Sequence, residues 1–198
     1  MSISPRLREP QPLGAATTVA SRPPRRCNPA ETIAPQILLR THHREPAMPT
    51  TKVTDFTAAA TGGKDFKLSD HAGRPVVIYF YPKDNTPGCT VEGADFRDRH
   101  NQFAKLGALI VGVSRDSLKS HEGFKAKMEF PFELISDADE ALCTQFGVIK
   151  MKNMYGKKVR GIERSTFLIG PDRKLVREWR GVKVPGHVDE VLAAVKAL

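Results

Sequence analysis

The sequence is short of cysteine. Three among 198 residues, at no regular spacing, exclude a disulfide framework and suit a reducing compartment, the cytoplasm. None of them forms a Cys-x-x-Cys pair, which argues against a dithiol oxidoreductase. Cys27, His42 and His43 lack any recognised ligand spacing, so no metal site is expected. Long apolar runs are missing as well. The longest, Leu106 to Val113, has eight residues, against the roughly 18–20 that a membrane-spanning helix needs. Aromatic residues make up 7% of the chain, with one tryptophan, Trp179. The basic stretches carry no stacking platform, so the formal charge of +9 reads as solvated charge rather than a nucleic-acid interface. No internal repeat is visible.

Residues 1–47 hold eight prolines, seven arginines, three glutamates and no lysine. The prolines prevent any long helix or strand, and the stretch reads as a disordered tail. Its arginine bias is that of an organelle targeting extension, yet the prolines spoil the amphipathic helix such a segment requires. A start placed too far upstream is the third reading, because Met48 opens a segment that looks like a domain. One domain is expected over 48–198.

From Lys52 onward the punctuation is regular. Val53 to Ala59 and Lys67-Leu68 look like short strands around Thr61-Gly62-Gly63. The run Val76 to Tyr81 is apolar on both sides, as a strand covered on two faces would be. Pro87 to about Leu106 has helical spacing through Cys89, Phe96 and Phe103. Ala108 to Ser114 reads as a strand, Ser117 to Met128 as a helix, Phe132 to Ile135 as a strand and Ala138 to Phe146 as a helix. Residues 149–160, rich in lysine, read as a flexible connection. Glu163 to Ile169 and Leu175 to Trp179 flank Gly170-Pro171-Asp172-Arg173, a hairpin signal, and His187 to Leu198 is an amphipathic helix. Strands alternating with helices predict an α/β fold, a mixed central β-sheet with helices on both faces.

The chemistry gathers at Pro82-Lys83-Asp84-Asn85-Thr86-Pro87-Gly88-Cys89, where the apolar strand hands over to a helix. Thr86 is placed to cap that helix, Pro87 suits its first position, and Cys89 falls in the first turn. Unpaired N–H groups and the positive end of the helix dipole favour an anion there. The thiolate is the nucleophilic form of cysteine, so this thiol is activated rather than merely buried.

The segment Phe80 to Glu92, followed by Phe96-Arg97-Asp98, resembles the active-site segment of the peroxiredoxins, and most of all their bacterioferritin-comigratory or Q-type members. Leu68-Ser69-Asp70, Val113-Ser114-Arg115-Asp116 and Arg164 to Ile169 extend the resemblance over about 48–198. It implies a thioredoxin-like fold and a thiol peroxidase that needs no cofactor. Cys89 would be the peroxidatic cysteine, attacking hydrogen peroxide or an alkyl hydroperoxide and becoming a sulfenic acid. Thr86 would donate a hydrogen bond to the peroxide, and Pro82 would shield the pocket from water. Arg164 would stabilise the thiolate and the charge on the departing oxygen, and Glu92 would orient the arginine.

One departure matters. Members of this group often carry a resolving cysteine five residues after the first, where this chain has Ala94, or on the helix that here spans 117–128, which has none. Cys143 and Cys27 remain as candidates. The expectation is a one-cysteine cycle resolved by glutathione or by a thioredoxin- or glutaredoxin-type reductant, in a monomer or weak homodimer. The rival reading is a non-enzymatic redox sensor or chaperone-like protein that uses Cys89 as a switch. A glutathione peroxidase would need a Gln/Trp constellation, and Trp179 lies in the late hairpin, outside any such motif.

Overall fold

The computed structural model describes residues 51–154 and 157–198. The tail expected over 1–47, with Cys27, lies outside the described residues. The elements run β1 (Thr57–Ala60), β2 (Lys64–Lys67), a 3₁₀ turn (Leu68–His71), β3 (Val76–Phe80), α1 (Pro87–Lys105), β4 (Leu109–Ser114), α2 (Leu118–Met128) and β5 (Glu133–Ser136). Then follow α3 (Ala141–Gln145), β6 (Ile149–Met154), β7 (Lys157–Ile162), β8 (Ser165–Ile169), β9 (Leu175–Arg180) and α4 (His187–Lys196). Seven strands form one mixed sheet in the order β2-β1-β5-β4-β3-β8-β9. β3, β4 and β5 are parallel, while β1, β8 and β9 pair antiparallel with their neighbours.

β3 lies at the middle, and all five of its residues are buried. Successive side chains of a strand point to opposite faces, so β3 feeds two cores. Val76, Ile78 and Phe80 join Phe56, Val111, Val113, Phe146, Phe167 and α3 on one side. Val77 and Tyr79 join Phe96 and Phe103 of α1, Phe124 of α2 and Val188, Val191 and Leu192 of α4 on the other. A strand buried twice needs an uninterrupted apolar run, and that is what 76–81 supplies. The result is a thioredoxin-like arrangement, a mixed sheet with helices on both faces.

Three expectations are corrected. Residues 149–160 are no flexible connection, because Ile149–Met154 and Lys157–Ile162 pair antiparallel as a separate two-stranded ribbon. The helix expected over 138–146 is confined to Ala141–Gln145. Glu140 adopts a left-handed conformation, with φ of 61°, and the Asp137 carboxylate accepts the N–H groups of Leu142 (2.9 Å) and Cys143 (2.7 Å). That carboxylate caps a late, short helix in place of a longer one. β1 begins at Thr57 rather than Val53, and Leu68 belongs to the 3₁₀ turn rather than to a strand. No helix among the described residues is long and apolar enough to cross a membrane.

Candidate active site

α1 starts at Pro87 because proline loses nothing at a first helical position, where its missing N–H would have had no partner. Thr86 precedes it in an extended conformation, yet its side chain does not cap the helix. Instead Thr86 Oγ1 donates to the Lys83 carbonyl at 3.0 Å, tightening the loop that leads in. The expected cap is therefore replaced by a turn within the loop. The first turn holds no acidic residue that would compete with an anion.

Cys89 occupies that first turn with 2% of its surface exposed, among Val77, Tyr79, Tyr81, Phe96 and Leu168. A thiolate formed among apolar side chains would require a fixed counter-charge. Arg164 supplies it, with Nη2 3.3 Å from Cys89 Sγ. Nη1 of the same guanidinium pairs with Glu92 Oε2. Glu92 lies three residues after Cys89 and so on the same side of the helix, one turn on. A planar fork with donors on both prongs spans the two groups in a way a lysine ammonium would not. Arg164 enters from the residue just before β8, and β8 pairs directly with β3. The sheet thus sets the distance between guanidinium and thiol.

Glu92 is wholly buried. Burial pushes its carboxyl up to about 7, although the Arg164 charge and hydrogen bond pull the other way. Its second oxygen, Oε1, has no hydrogen-bond partner among the described residues. Burial also opposes the charge on Arg164, but Glu92 and Cys89 outweigh that and hold the guanidinium above its ordinary value. Gly88 leaves room for this packing. A Cβ there would stand 3.2 Å from Arg164 Nη2, so a larger residue would press on the guanidinium.

Pro82 and Thr86, both half-buried, sit in the loop between β3 and α1. Cys143 does not join the group. It is buried on the opposite side of the sheet, in the core that contains Phe80, Val113 and Ile135. Burial and the neighbouring Asp137 push its thiol far up, so it stays protonated. Among the described residues no cluster of three or more His, Cys, Asp or Glu side chains is placed to hold a metal ion.

The sequence reading missed a polar group that adjoins the loop, with Tyr81, Asp84 and His121 buried and Asp116 and Ser120 half-buried. One signal was available. His121 lies three residues before Phe124 on α2, a titratable side chain on the same buried side of the helix.

A lone thiol in the first turn of a helix, held by an arginine on the sheet of a thioredoxin-like fold, defines a thiol peroxidase. Residues 49–178 match the AhpC/TSA family. The chain belongs to that family, and its relatives are peroxiredoxins of the Bcp or Q group. It is 60% identical over 143 residues to Peroxiredoxin Bcp of Xanthomonas campestris pv. campestris, covering 72% of this chain and 89% of the relative. Peroxiredoxin Bcp of Bacillus subtilis is 50% identical over 145 residues, covering 73% and 92%. The fold is similar to a solved structure of Xanthomonas campestris Peroxiredoxin Q, with a TM-score of 0.69 at 60% identity, over 72% of this chain and 90% of that one.

Proposed function

We propose that this thiol peroxidase works through a one-cysteine cycle centred on Cys89. The observation that carries the reading is the 3.3 Å contact between Arg164 Nη2 and Cys89 Sγ. In the first step the thiolate attacks the terminal oxygen of hydrogen peroxide or an alkyl hydroperoxide. A sulfur–oxygen bond forms and the oxygen–oxygen bond breaks. Sulfur loses two electrons, giving sulfenic acid, and the departing alkoxide or hydroxide takes up a proton to leave as alcohol or water. Arg164 lies where charge moves from sulfur to the leaving oxygen, and such fixed charge is worth most in a water-poor site. Glu92 orients the guanidinium, and Pro82 screens the site from water. Thr86 touches the peroxide, and because its own proton is committed to the Lys83 carbonyl, it accepts the peroxide O–H rather than donating to it.

The second step is assigned to an external thiol. Of the two described cysteines, Cys143 is separated from Cys89 by the thickness of the sheet and stays protonated. A bond between them would require the core to open. An incoming thiol attacks the sulfenic sulfur, water leaves, and a second thiol regenerates Cys89 with release of a disulfide. Glutathione and proteins of the thioredoxin or glutaredoxin type have the chemistry for this in the cytoplasm, on a monomer or weak homodimer. Because Cys89 is 2% exposed, the loop must open for a reductant to reach it.

The test is peroxide consumption with each reductant in wild type, Cys89→Ser and Cys143→Ser. Turnover should vanish in the first variant and persist in the second, with mass spectrometry showing Cys89 as a mixed disulfide with the reductant. A Cys89–Cys143 peptide pair would remove the one-cysteine cycle. One oxidation per molecule without turnover would identify a switch instead of an enzyme.

A further inference from the structure

The loop that delivers Cys89 is anchored from behind at Asp84. Its backbone N–H donates to Asp116 Oδ2 at 2.8 Å, and its carboxylate accepts from the Tyr81 hydroxyl (2.8 Å) and from Ser120 Oγ (2.7 Å). His121 Nδ1 lies 2.9 and 3.1 Å from the two carboxylate oxygens, while Nε2 lies 3.1 Å from the Ile135 carbonyl. His121 has 0% exposure. Both ring nitrogens therefore face acceptors, a carboxylate on one side and a peptide oxygen on the other.

A neutral imidazole has a single N–H. Its bare nitrogen would meet an acceptor lone pair to lone pair, in a place water does not reach. Only the doubly protonated ring satisfies both contacts, and the carboxylate then faces a cation. The groups around the ring are Asp84 from the loop, the Tyr81 hydroxyl at 3.3 Å from the end of β3, Ile135 from β5 and Ser120 from α2 itself, with Asp116 behind Asp84. Hydrogen bonds to the carboxylate, together with the nearby His121 charge, hold Asp84 below its ordinary value against the opposing effect of burial.

We propose that His121 is a positioning residue for the reaction of Cys89: as a buried imidazolium it clamps Asp84, and with it the loop 82–88, onto α2 and β5 in the arrangement that encloses the thiol. This rests on the reading of Cys89 given above and adds a consequence. The two half-reactions make opposite demands, since attack on peroxide uses the enclosed site and an external thiol needs it opened. Loosening the clamp should slow the first and not the second. Damage to the fold would slow both.

Two measurements test this. Nitrogen-15 spectra of ring-labelled protein at neutral pH should show His121 with both nitrogens protonated, and a single protonated nitrogen would overturn the proposal. In His121→Gln and Asp84→Asn, stopped-flow reaction of reduced Cys89 with hydrogen peroxide should fall about 10- to 100-fold, the usual result of displacing a reacting group by an ångström or so. The double variant should be no slower than the slower single one, because the two residues act as one unit. Reduction of oxidised Cys89 by dithiothreitol should be as fast as in wild type or faster. Peroxide rates within twofold of wild type in folded variants, or an equal fall in both half-reactions, would overturn the clamp. If neither variant folds, the spectrum of the wild type still decides. Cys89→Ser separates the two readings: consumption surviving it removes Cys89 as the reacting group, while the ring spectrum of that same variant judges the clamp.

Discussion

Replacing Glu92 with glutamine should make the protein more stable as the pH rises, while slowing its reaction with peroxide. The side chain is fully buried, one oxygen pairs with Arg164, and the other has no partner among the described residues. Its carboxyl stands at about 7 in the folded chain, against the ordinary 4.5. Between those values the folded state holds a proton that the unfolded state has released. The stability contributed by this group is therefore complete below pH 4.5 and is lost as the pH climbs through 7. A difference of that size is worth about 3 kcal/mol, from 1.36 kcal/mol per pH unit. Glutamine keeps an acceptor for the guanidinium and never ionises. The difference in unfolding free energy between Glu92→Gln and wild type, from urea titrations at half-unit pH steps, should thus increase by about 3 kcal/mol from pH 4.5 to pH 8 in favour of the variant. Every titrating group distant from position 92 is common to both proteins and cancels. Parallel curves would refute a buried, poorly compensated charge. A variant that loses ground as the pH rises would mean that the attraction of Arg164 outweighs burial. The same titration, paired with the peroxide rate, would show a charge kept for reactivity at the expense of stability.

Two more outcomes follow from packing and burial. A Cβ on Gly93 would lie 2.4 Å from Phe130 Cζ, a ring packed edge-on against Phe124 and stacked on Phe132. Gly93→Ala should cost about 1–3 kcal/mol in urea unfolding, and an unchanged midpoint would show that the aromatic cluster yields freely. His187 is buried beside Thr166, with Nε2 2.8 Å from its hydroxyl, and burial brings its ring down to about 4 from 6.5. The unfolded chain takes up a proton there first, so stability falls as the pH drops from 6.5 to 4. In His187→Gln this acid-side loss should shrink by about 3 kcal/mol relative to wild type, and acid titration curves of equal slope would count against it.

Much of this architecture could be read along the chain, and the parts that could not share a physical reason. The run 76–81 announced a doubly covered strand because both of its faces are apolar. Pro87 marked the start of α1 because it is a local signal. The Cys89–Arg164–Glu92 group is different: Arg164 and Glu92 are 72 residues apart, and only the pairing of β3 with β8 brings them together. No spacing in the sequence singles out that arginine from its neighbours, and the family resemblance alone pointed to it. The ribbon at 149–162 was misread because it carries lysines where strands usually carry β-branched residues, and only its cross-strand ladder shows it to be paired. α3 was overestimated because nothing in the sequence showed that the Asp137 carboxylate fixes where the helix begins. His121 escaped notice because a polar residue on an inward stripe looks like a fault until its partners, Asp84 and Ile135, arrive from elsewhere in the chain.

Under a one-cysteine cycle, the sheet that divides the core would also set a limit on throughput. With Cys89 on one side and Cys143 on the other, neither of the two described cysteines can discharge the other unless the core opens. Under the one-cysteine cycle each event waits on a collision with a thiol, so steady flux follows the supply of reductant. The waiting time is also a hazard, because a sulfenic acid that meets a second peroxide advances to the sulfinic state, from which ordinary thiols do not return it. Survival of the protein under oxidative load is then a race between two bimolecular encounters at one sulfur. The loop over Cys89 governs both, since it must admit the thiol that restores the sulfur and exclude the peroxide that would end its activity.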